Sequence, residues 1–406
     1  MKVLHLNEYY AVVGGLEQYL LALCDACEAA GHCTAIVYCT ATGREPQKAD
    51  RPAFHIPGLA GPAPSSSEAR EQFAAVLSSE KPDVVVVHQI LDPQTVQVAA
   101  NYGPTIRFSH AFKMICPGGR RMWNRSQQLC TRPVGLACQA VAYLERCMPR
   151  DPRLGIPLID KTRRLAAIHR EGSEVIVASG FMRDMMLLNG FSPEHVHVVP
   201  YFTVVPDRKS PAGEPTPGRL FCAARLTPEK GVDQLLRALA HLPPRVTLTV
   251  AGEGAGRPEL ERLAGELGLR ERVLFAGWLS RDAVATALYD AEVVVVPSLW
   301  PEPFGIVGIE AMAHERPVVA YDVGGVREWL IPDQTGLLVE RGDITGLARA
   351  VQVLLDQPER GRALGQQGRH IAQSRFSPAR HLQDFLAVAE ASRVRWQRMD
   401  VSAKPV

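Results

Sequence analysis

Short apolar runs alternate with amphipathic segments along the whole chain. Val293–Val296 is a run of four valines, the pattern of a parallel strand buried on both faces. Similar runs predict further strands at residues 2–7, 34–38, 83–88, 105–109, 174–178, 197–200, 219–223, 246–251, 273–276 and 317–321. Periods near 3.6 predict helices at residues 16–30, 155–170, 232–242, 258–267, 305–314, 345–355, 358–374 and 378–395. This alternation predicts an α/β protein built on parallel sheets.

The length predicts two domains. The chain has 406 residues, too many for one ordinary core, and domains of about 150–200 residues are expected. We place the boundary in the proline-containing linker at residues 200–206. Residues 207–218 (DRKSPAGEPTPG) have no apolar period and lie just inside the second domain, and residues 44–67 are predicted to form a loop.

Composition narrows the class of protein. Hydrophobic residues make up 46% and charged residues 22%, as in a globular protein, and a net charge of +2 gives no argument for nucleic acid. The N-terminus enters a strand directly, without the pattern of a signal peptide, and no apolar run approaches the roughly 20 residues of a membrane span. We therefore expect a cytoplasmic protein whose nine cysteines are reduced thiols or metal ligands.

The loop after the valine run has the residues of an anion site. Phe304, Gly305 and Ile306 stand at a predicted helix N-terminus, where backbone N–H groups and the helix dipole favour a phosphate. Glu302 before the helix and Glu310 inside it offer carboxylates to hydroxyl groups. The alternative is two solvated glutamates, but the combination favours a nucleotide diphosphate joined to a sugar.

Two cations follow the strand at residues 219–223. Arg225 offers a bidentate fork and Lys230 a point charge, and both suit a diphosphate. Taken alone they could equally be two surface charges. Together with the anion site at Gly305 they favour phosphate binding.

Glycine turns and histidines mark further strand ends. Gly14 and Gly15 follow the first strand and precede a helix, the general form of a phosphate or sugar site, although most such pairs are turns. A lone histidine is usually structural, but His110 ends a strand at the edge where sites form, and His88 is a second candidate.

Residues 116–147 contain four cysteines: Cys116, Cys130, Cys138 and Cys147. Four thiols within this span could bind a structural zinc ion, although no C-x2-C pair is present. A disulfide and free thiols stay open as alternatives.

Basic residues cluster near the same segment. They are Arg120, Arg121, Arg125, Lys161, Arg163, Arg164 and Arg170. Peripheral contact with anionic lipid on the inner membrane surface, or with an acidic acceptor, is one interpretation, and a solvated face is the other.

Three motifs carry a resemblance to one family. Glu302-Pro303-Phe304-Gly305 followed by Glu310 resembles the E-x7-E motif of retaining GT-B glycosyltransferases of family 4, the glycosyl transferases group 1. Residues 225–231 (RLTPEKG) resemble the R-x4-K element of that family, and residues 14–17 (GGLE) its first glycine turn. The motifs fall in the family's order and span nearly the whole chain.

The resemblance implies two Rossmann-like domains facing each other across a cleft. Residues 1–200, with a cysteine-containing insert at 111–150, would bind the acceptor, and residues 201–377 the nucleotide sugar. Residues 378–406 would hold a helix that crosses back to the first domain. The insert would shape acceptor choice.

The resemblance also implies roles for single residues. Gly14 and Gly15 would lie near the donor diphosphate and His110 near the donor sugar, although Ala111 stands where the family often has aspartate. Glu302 would bind the donor sugar and Glu310 the ribose. Near the ribose, phosphates and base the resemblance places Gly252, Gly254, Trp278 and Leu279.

The expected reaction is metal-independent glycosyl transfer with retention and without a cofactor. Arg225, Lys230 and the helix N-terminus would stabilise the departing diphosphate. No carboxylate nucleophile is evident, so front-face attack is favoured, with a β-phosphate oxygen taking the acceptor proton. The alternatives are another GT-B enzyme, such as a nucleotide-sugar epimerase or a phosphorylase, and a non-catalytic nucleotide-sugar-binding scaffold. Donor base, sugar and acceptor (a glycan, a lipid-linked intermediate, a small metabolite or a protein) stay open.

Overall fold

The computed structural model describes residues 1–46, 48, 50–61, 63–206 and 215–399. The chain divides into two compact units. The first unit comprises Met1–Pro200 and His381–Val406, and the second comprises Tyr201–Arg380. Most of the proline- and glycine-rich stretch predicted at 207–218 lies outside the described residues.

The first unit holds a parallel sheet, seven-stranded in the described part of the chain, in the order β3-β2-β1-β4-β5-β6-β7. Its strands are β1 Lys2–Tyr9, β2 Cys33–Thr40, β3 Ala53–His55, β4 Val84–Val87, β5 Thr105–Ser109, β6 Ser173–Val177 and β7 Val196–Val198. The helices that flank this sheet or lie in the insert are α1 Gly15–Ala29, α2 Ser67–Glu80, α3 Pro93–Tyr102, α4 Ala137–Glu145, α5 Pro152–Gly172 and α6 Gly180–Leu187.

The second unit repeats this plan with a parallel sheet of six described strands, in the order β10-β9-β8-β11-β12-β13. The strands are β8 Arg219–Ala223, β9 Thr247–Ala251, β10 Val273–Gly277, β11 Val293–Val296, β12 Val318–Tyr321 and β13 Gly336–Val339. The helices are α7 Val232–Ala240, α8 Arg257–Glu266, α9 Arg281–Asp290, α10 Ile306–Ala313, α11 Ile344–Asp356 and α12 Pro358–Arg375, followed by α13 Pro378–Arg398, most of which belongs to the first unit.

Local sequence explains many of these elements. All four valines of β4 are buried, as expected for a strand covered by helices on both faces. Side chains cap several helix N-termini: Ser66 Oγ accepts from Ala69 N, and Ser179 Oγ accepts from Met182 N. Each cap satisfies a backbone donor that has no partner within its own helix.

The prediction of an α/β fold with two parallel sheets is confirmed, with local corrections. The predicted loop at 44–67 contains the edge strand Ala53–His55. This strand has only three residues, too few to show a hydrophobic period in the sequence. Residues 324–328 form a 3-10 helix. Helices α2, α3, α4 and α9 and strand β13 were not predicted. None of the helices in the described residues is long and apolar enough to cross a bilayer.

Candidate functional site

The second sheet reverses its strand order between β8 and β11. Both strands are central and parallel, so the loops that follow them leave the same edge side by side. This is the switch point where open α/β sheets bind ligands. The loop after β8 carries Arg225 and Lys230, and the loop after β11 carries Glu302 and Gly305. The topology therefore brings the two predicted motifs together.

Lys230 and Glu302 form an ion pair across these loops. Lys230 Nζ lies 2.5 Å from Glu302 Oε1, and the two side chains are only 15% and 8% exposed. The same ammonium lies 4.9 Å from the ring centroid of Trp300. Arg225 is exposed and, within the described residues, makes no ion pair. One cation is thus balanced by a carboxylate, while the other is available to an anion.

Backbone hydrogen bonds fasten the two loops to each other. Glu229 O accepts from Leu299 N at 2.9 Å and from Trp300 N at 3.0 Å. Gly231 has φ +66°, and a Cβ there would lie 2.0 Å from Pro297 O. The close approach therefore requires glycine after Lys230, and it holds the Lys230 side chain beside the second loop.

A buried tryptophan supports the helix that begins after Gly305. Gly305 is the N-cap of α10 with φ +95°. Trp329 is fully buried, and its Nε1 donates to Phe304 O at 2.7 Å. A Cβ on Gly308 would lie 2.2 Å from the Trp329 ring. The indole therefore packs directly against the first turn of α10 and fixes its N-terminus. No sequence motif marks Trp329, and it was not predicted.

Glu310 is partly buried in α10, and burial raises its pKa to about 7. The Arg281 guanidinium, on the unpredicted helix α9, acts on this pKa in the opposite direction. A carboxyl group with this pKa can accept or donate a hydrogen bond near neutral pH, and either form suits a ribose diol.

The remaining donor-site candidates also lie at the carboxyl edge of the second sheet. Gly252 has φ +129°, and its N donates to Gly277 O at 2.7 Å. A Cβ on Gly254 would lie 2.4 Å from Leu226 O, so this turn packs against the loop of Arg225. Trp278 is 60% exposed and Leu279 partly buried just beyond β10. Their ligand contacts stay predictions.

In the first unit the predicted residues surround another switch point, between β1 and β4. Gly14 caps α1, and a Cβ there would lie 3.4 Å from Glu17 Oε2, whereas Gly15 has open space. His110 Nε2 lies 2.9 Å from His88 Nδ1. Both histidines were predicted from the sequence, whereas His5, whose Nδ1 lies 3.0 Å from His88 Nε2, was not.

The four cysteines of the insert line one cavity of about 30 Å³. Cys138 and Cys147 pack beside a small apolar cluster of Ala142, Met148 and Ile159. Burial raises the pKa of Cys147 to about 11. Over the described ranges, no group of three or more His, Cys, Asp or Glu side chains is arranged to hold a metal ion. The four thiols therefore line the same cavity but are not arranged as a metal site. Zinc binding stays a prediction.

The predicted basic cluster needs one correction. Arg121 is only 2% exposed, and its Nη1 donates to Arg132 O at 2.6 Å, because the insert folds over its side chain. Arg163 and Arg170 are exposed, and Arg164 is exposed but pairs with Asp160 at 2.7 Å. Large apolar side chains of the insert and of the first turns of α5 are also exposed: Leu136, Tyr143, Leu144, Leu154 and Ile156.

Comparison with known sequences gives two family matches that together cover both units. Residues 206–371 match the family described as "Glycosyl transferases group 1". Residues 14–201 match the family described as "Glycosyl transferase 4-like domain".

Individual relatives agree with these matches. The chain is 40% identical over 138 residues to an alpha-D-kanosaminyltransferase of Streptomyces kanamyceticus, covering 33% of this chain and 36% of the relative. It is 37% identical over 226 residues to a D-inositol 3-phosphate glycosyltransferase of Xylanimonas cellulosilytica, covering 50% of this chain and 54% of the relative. The chain thus spans about a third and about half of the length of these relatives.

A solved structure shares the fold. Anabaena HepE in complex with UDP superposes with a TM-score of 0.71 over 96% of this chain and 100% of that chain, at 19% identity.

Proposed function

Because the chain belongs to the GT-B glycosyltransferases of the family 4 type, we propose that it transfers a sugar from a nucleoside-diphosphate sugar to a hydroxyl group of an acceptor. The proposal includes retention at the anomeric carbon and no requirement for a metal ion. The donor base, the sugar and the acceptor are left open. Anabaena HepE, which shares the fold, forms a complex with UDP, and this supports a nucleoside diphosphate as the leaving group.

The observation that carries this proposal is the meeting of the two motifs at the Lys230–Glu302 ion pair. Their loops leave neighbouring strands at the switch point of the second sheet, beside the N-terminus of α10. A diphosphate placed there would meet Arg225, Lys230 and the first N–H groups of the helix, which are unpaired within the helix itself. The carboxylate of Glu302 would lie next to it, where sugar hydroxyls could donate to it.

The chemistry follows from charge. When the bond between the anomeric carbon and the β-phosphate oxygen breaks, its electron pair leaves with the diphosphate. Arg225, Lys230 and the α10 dipole stabilise the negative charge that builds there. The acceptor hydroxyl attacks the same face, and a β-phosphate oxygen takes its proton. Glu310 binds the ribose, and His110 contributes a contact to the sugar.

The first experiment is thermal melting with UDP, GDP, ADP and TDP. A ligand at 100 times its dissociation constant adds about 2.7 kcal/mol of stability. We expect a shift with one nucleotide in the wild type, loss of that shift in Arg225→Ala, and its retention in the control Arg237→Ala, an exposed arginine of α7. No shift with any of the four nucleotides would contradict the donor site.

Turnover separates the remaining alternatives. Incubation of donor sugars with an acceptor panel should release nucleoside diphosphate, and NMR of the product should show the anomeric configuration of the donor. A product that is an epimerised nucleotide sugar or a sugar phosphate would indicate one of the other GT-B enzymes. Nucleotide binding without release from any donor would favour the scaffold.

We also propose that the insert of the first unit makes peripheral contact with an anionic bilayer. The supporting observation is its exposed apolar side chains, with Leu136 66% and Leu144 68% exposed, close in sequence to exposed Arg150 and Arg163. Apolar insertion combined with basic charge is the physical basis of interfacial binding.

Sedimentation with vesicles tests this contact. Binding should require phosphatidylserine, weaken with salt, and be lost in Leu136→Ser/Leu144→Ser but kept in Leu188→Ser, an exposed leucine at the end of α6. Equal binding to neutral vesicles, or none to anionic ones, would contradict it.

A further inference from the structure

Three histidines from neighbouring strands of the first unit form a continuous row. His5 lies in β1, His88 follows β4 and His110 follows β5. The distance from His5 Nδ1 to His88 Nε2 is 3.0 Å, and that from His88 Nδ1 to His110 Nε2 is 2.9 Å. The rings of each contacting pair are stacked, with interplanar angles of 28° and 16°. The row runs from the core, where His5 is fully buried, to the partly buried His110 at the edge of the sheet.

All three rings are neutral near pH 7. Burial lowers the pKa of His5 to about 3, and it lowers the pKa values of His88 and His110 well below 6.5. The buried guanidinium of Arg107 acts in the same direction on His88 and His110, and its Nη1 donates to Ile90 O at 2.6 Å. A neutral imidazole has one N–H donor and one bare nitrogen. Each contact in the row therefore joins one donor to one acceptor.

Two orders of protons satisfy both contacts. In the inward order, His110 donates to His88, His88 donates to His5, and the proton of His5 is on Nε2. In the outward order, His5 donates from Nδ1 to His88, His88 donates from Nδ1 to His110, and the proton of His110 is on Nδ1. The two orders therefore differ at both ends of the row.

The buried end decides between these orders. His5 Nε2 is buried and has no hydrogen-bond partner among the residues that the structure describes. The inward order would place an N–H there without an acceptor, and buried N–H groups without a partner are rare in native structures and costly. The outward order places only a lone pair at this position.

We propose that His5 and His88 are positioning residues that hold His110 as the neutral tautomer with its proton on Nδ1. The Nε2 lone pair of His110 is then occupied by His88 and is not available as a general base. With its proton on Nδ1, the ring of His110 acts as a hydrogen-bond donor at that nitrogen. The tautomer does not rest on the proposed function.

NMR of protein with 15N-labelled histidine rings tests the tautomer directly. Long-range 1H–15N correlations within a ring distinguish a proton on Nδ1 from one on Nε2. The signals of His110 are identified by their loss in His110→Gln. We expect His110 of the wild-type protein to be neutral and protonated on Nδ1 at pH 7. A proton on Nε2 of His110, or a charged His110 ring, would overturn the proposal. This measurement on the wild-type protein needs no substitution of His5 or His88.

A substitution at the buried end tests the positioning role. In His5→Phe the first donor is gone, and we expect His110 to lose its single tautomer. The control is His169→Phe, which replaces another fully buried histidine, one that contacts Ser173 Oγ at 3.0 Å outside the row. It should leave the His110 signals unchanged. A pure Nδ1–H signal for His110 in folded His5→Phe would show that His5 does not position it.

The test separates this inference from the proposed enzyme activity. An Nδ1–H signal in a protein that releases no nucleoside diphosphate would support the tautomer and contradict the activity. Sugar transfer by a protein whose His110 is protonated on Nε2 would support the activity and contradict the tautomer.

Discussion

Lys230 and Glu302 are 72 residues apart in sequence, yet their side chains form a largely buried ion pair with Nζ 2.5 Å from Oε1. The pair balances one of the two cations expected to bind a diphosphate, and it leaves exposed Arg225 as the other. Lys230 therefore has a structural role as well as a proposed binding role, whereas the role of Arg225 is the proposed binding alone. This difference can be measured.

We predict that Lys230→Met and Glu302→Gln each destabilise the protein and that their effects are not additive. Removing one partner leaves the other charge with little solvent and no counterion, at a cost of about 3 kcal/mol. The double variant should recover at least about 1 kcal/mol of the summed loss, measured by urea unfolding as a double-mutant cycle. Arg225→Met, the control, should change the free energy of unfolding by less than about 0.5 kcal/mol. Strictly additive effects would show that the pair does not form in solution.

A second prediction concerns the contact of Gly308 with Trp329. Gly308→Ala places a Cβ 2.2 Å from an indole ring that is fully buried and held by its bond to Phe304 O. We expect the free energy of unfolding to fall by about 2 kcal/mol and nucleotide binding to weaken, because the first turn of α10 must move. The matched control is Gly172→Ala at the end of α5, where a Cβ meets nothing within 4 Å. Equal melting temperatures for the two variants would contradict this packing.

The raised pKa of Glu310 predicts how stability changes with pH. The folded protein holds this proton up to about pH 7, whereas the ordinary pKa of a glutamate is 4.5. Between these values the folded state binds more protons, so the stability that Glu310 contributes is full below about 4.5 and is lost as the pH rises through 7. Glu310→Gln keeps a neutral side chain throughout and should become more stable than the wild type by about 3 kcal/mol over this window.

Urea unfolding of both proteins from pH 4 to 8 measures this difference. Glu340→Gln, which replaces an exposed glutamate of the same unit, should follow the wild-type curve. If wild type and Glu310→Gln differ by the same free energy at every pH, the carboxyl group does not titrate in this range.

The cavity of the insert gives a prediction about metal content. If the thiols that line it bind zinc, protein purified without chelators should contain about one zinc atom per chain, and replacing Cys116, Cys130, Cys138 and Cys147 with serine should remove it. Replacing the exposed Cys33 should leave the content unchanged. Elemental analysis that finds less than about 0.2 zinc atoms per chain in the wild type would contradict zinc binding at these cysteines.

Much of the architecture follows from local patterns. Some elements are indicated by residues that lie within them or directly before them. Examples are the four valines of β11, the proline and glycine before α10, and the serine that caps α6. Strands and helices with such signals could be predicted within a few residues of their ends. The strand Ala53–His55 and helix α9 were missed because their sequences carry no comparable period.

The fold class and the residue types of the candidate site could be predicted from the sequence alone. Arg225, Lys230, Glu302 and Gly305 could be named because their spacing in each motif is local. Which side chains meet is visible in the folded structure: Lys230 pairs with Glu302, the Trp329 ring faces Gly308, and His5 completes a row with His88 and His110. The folded structure also shows that Arg121 is buried. The ion pair depends on β8 lying beside β11, and the histidine row depends on β4 lying between β1 and β5. Strand order is set by packing of the whole sheet, which no window of neighbouring residues encodes.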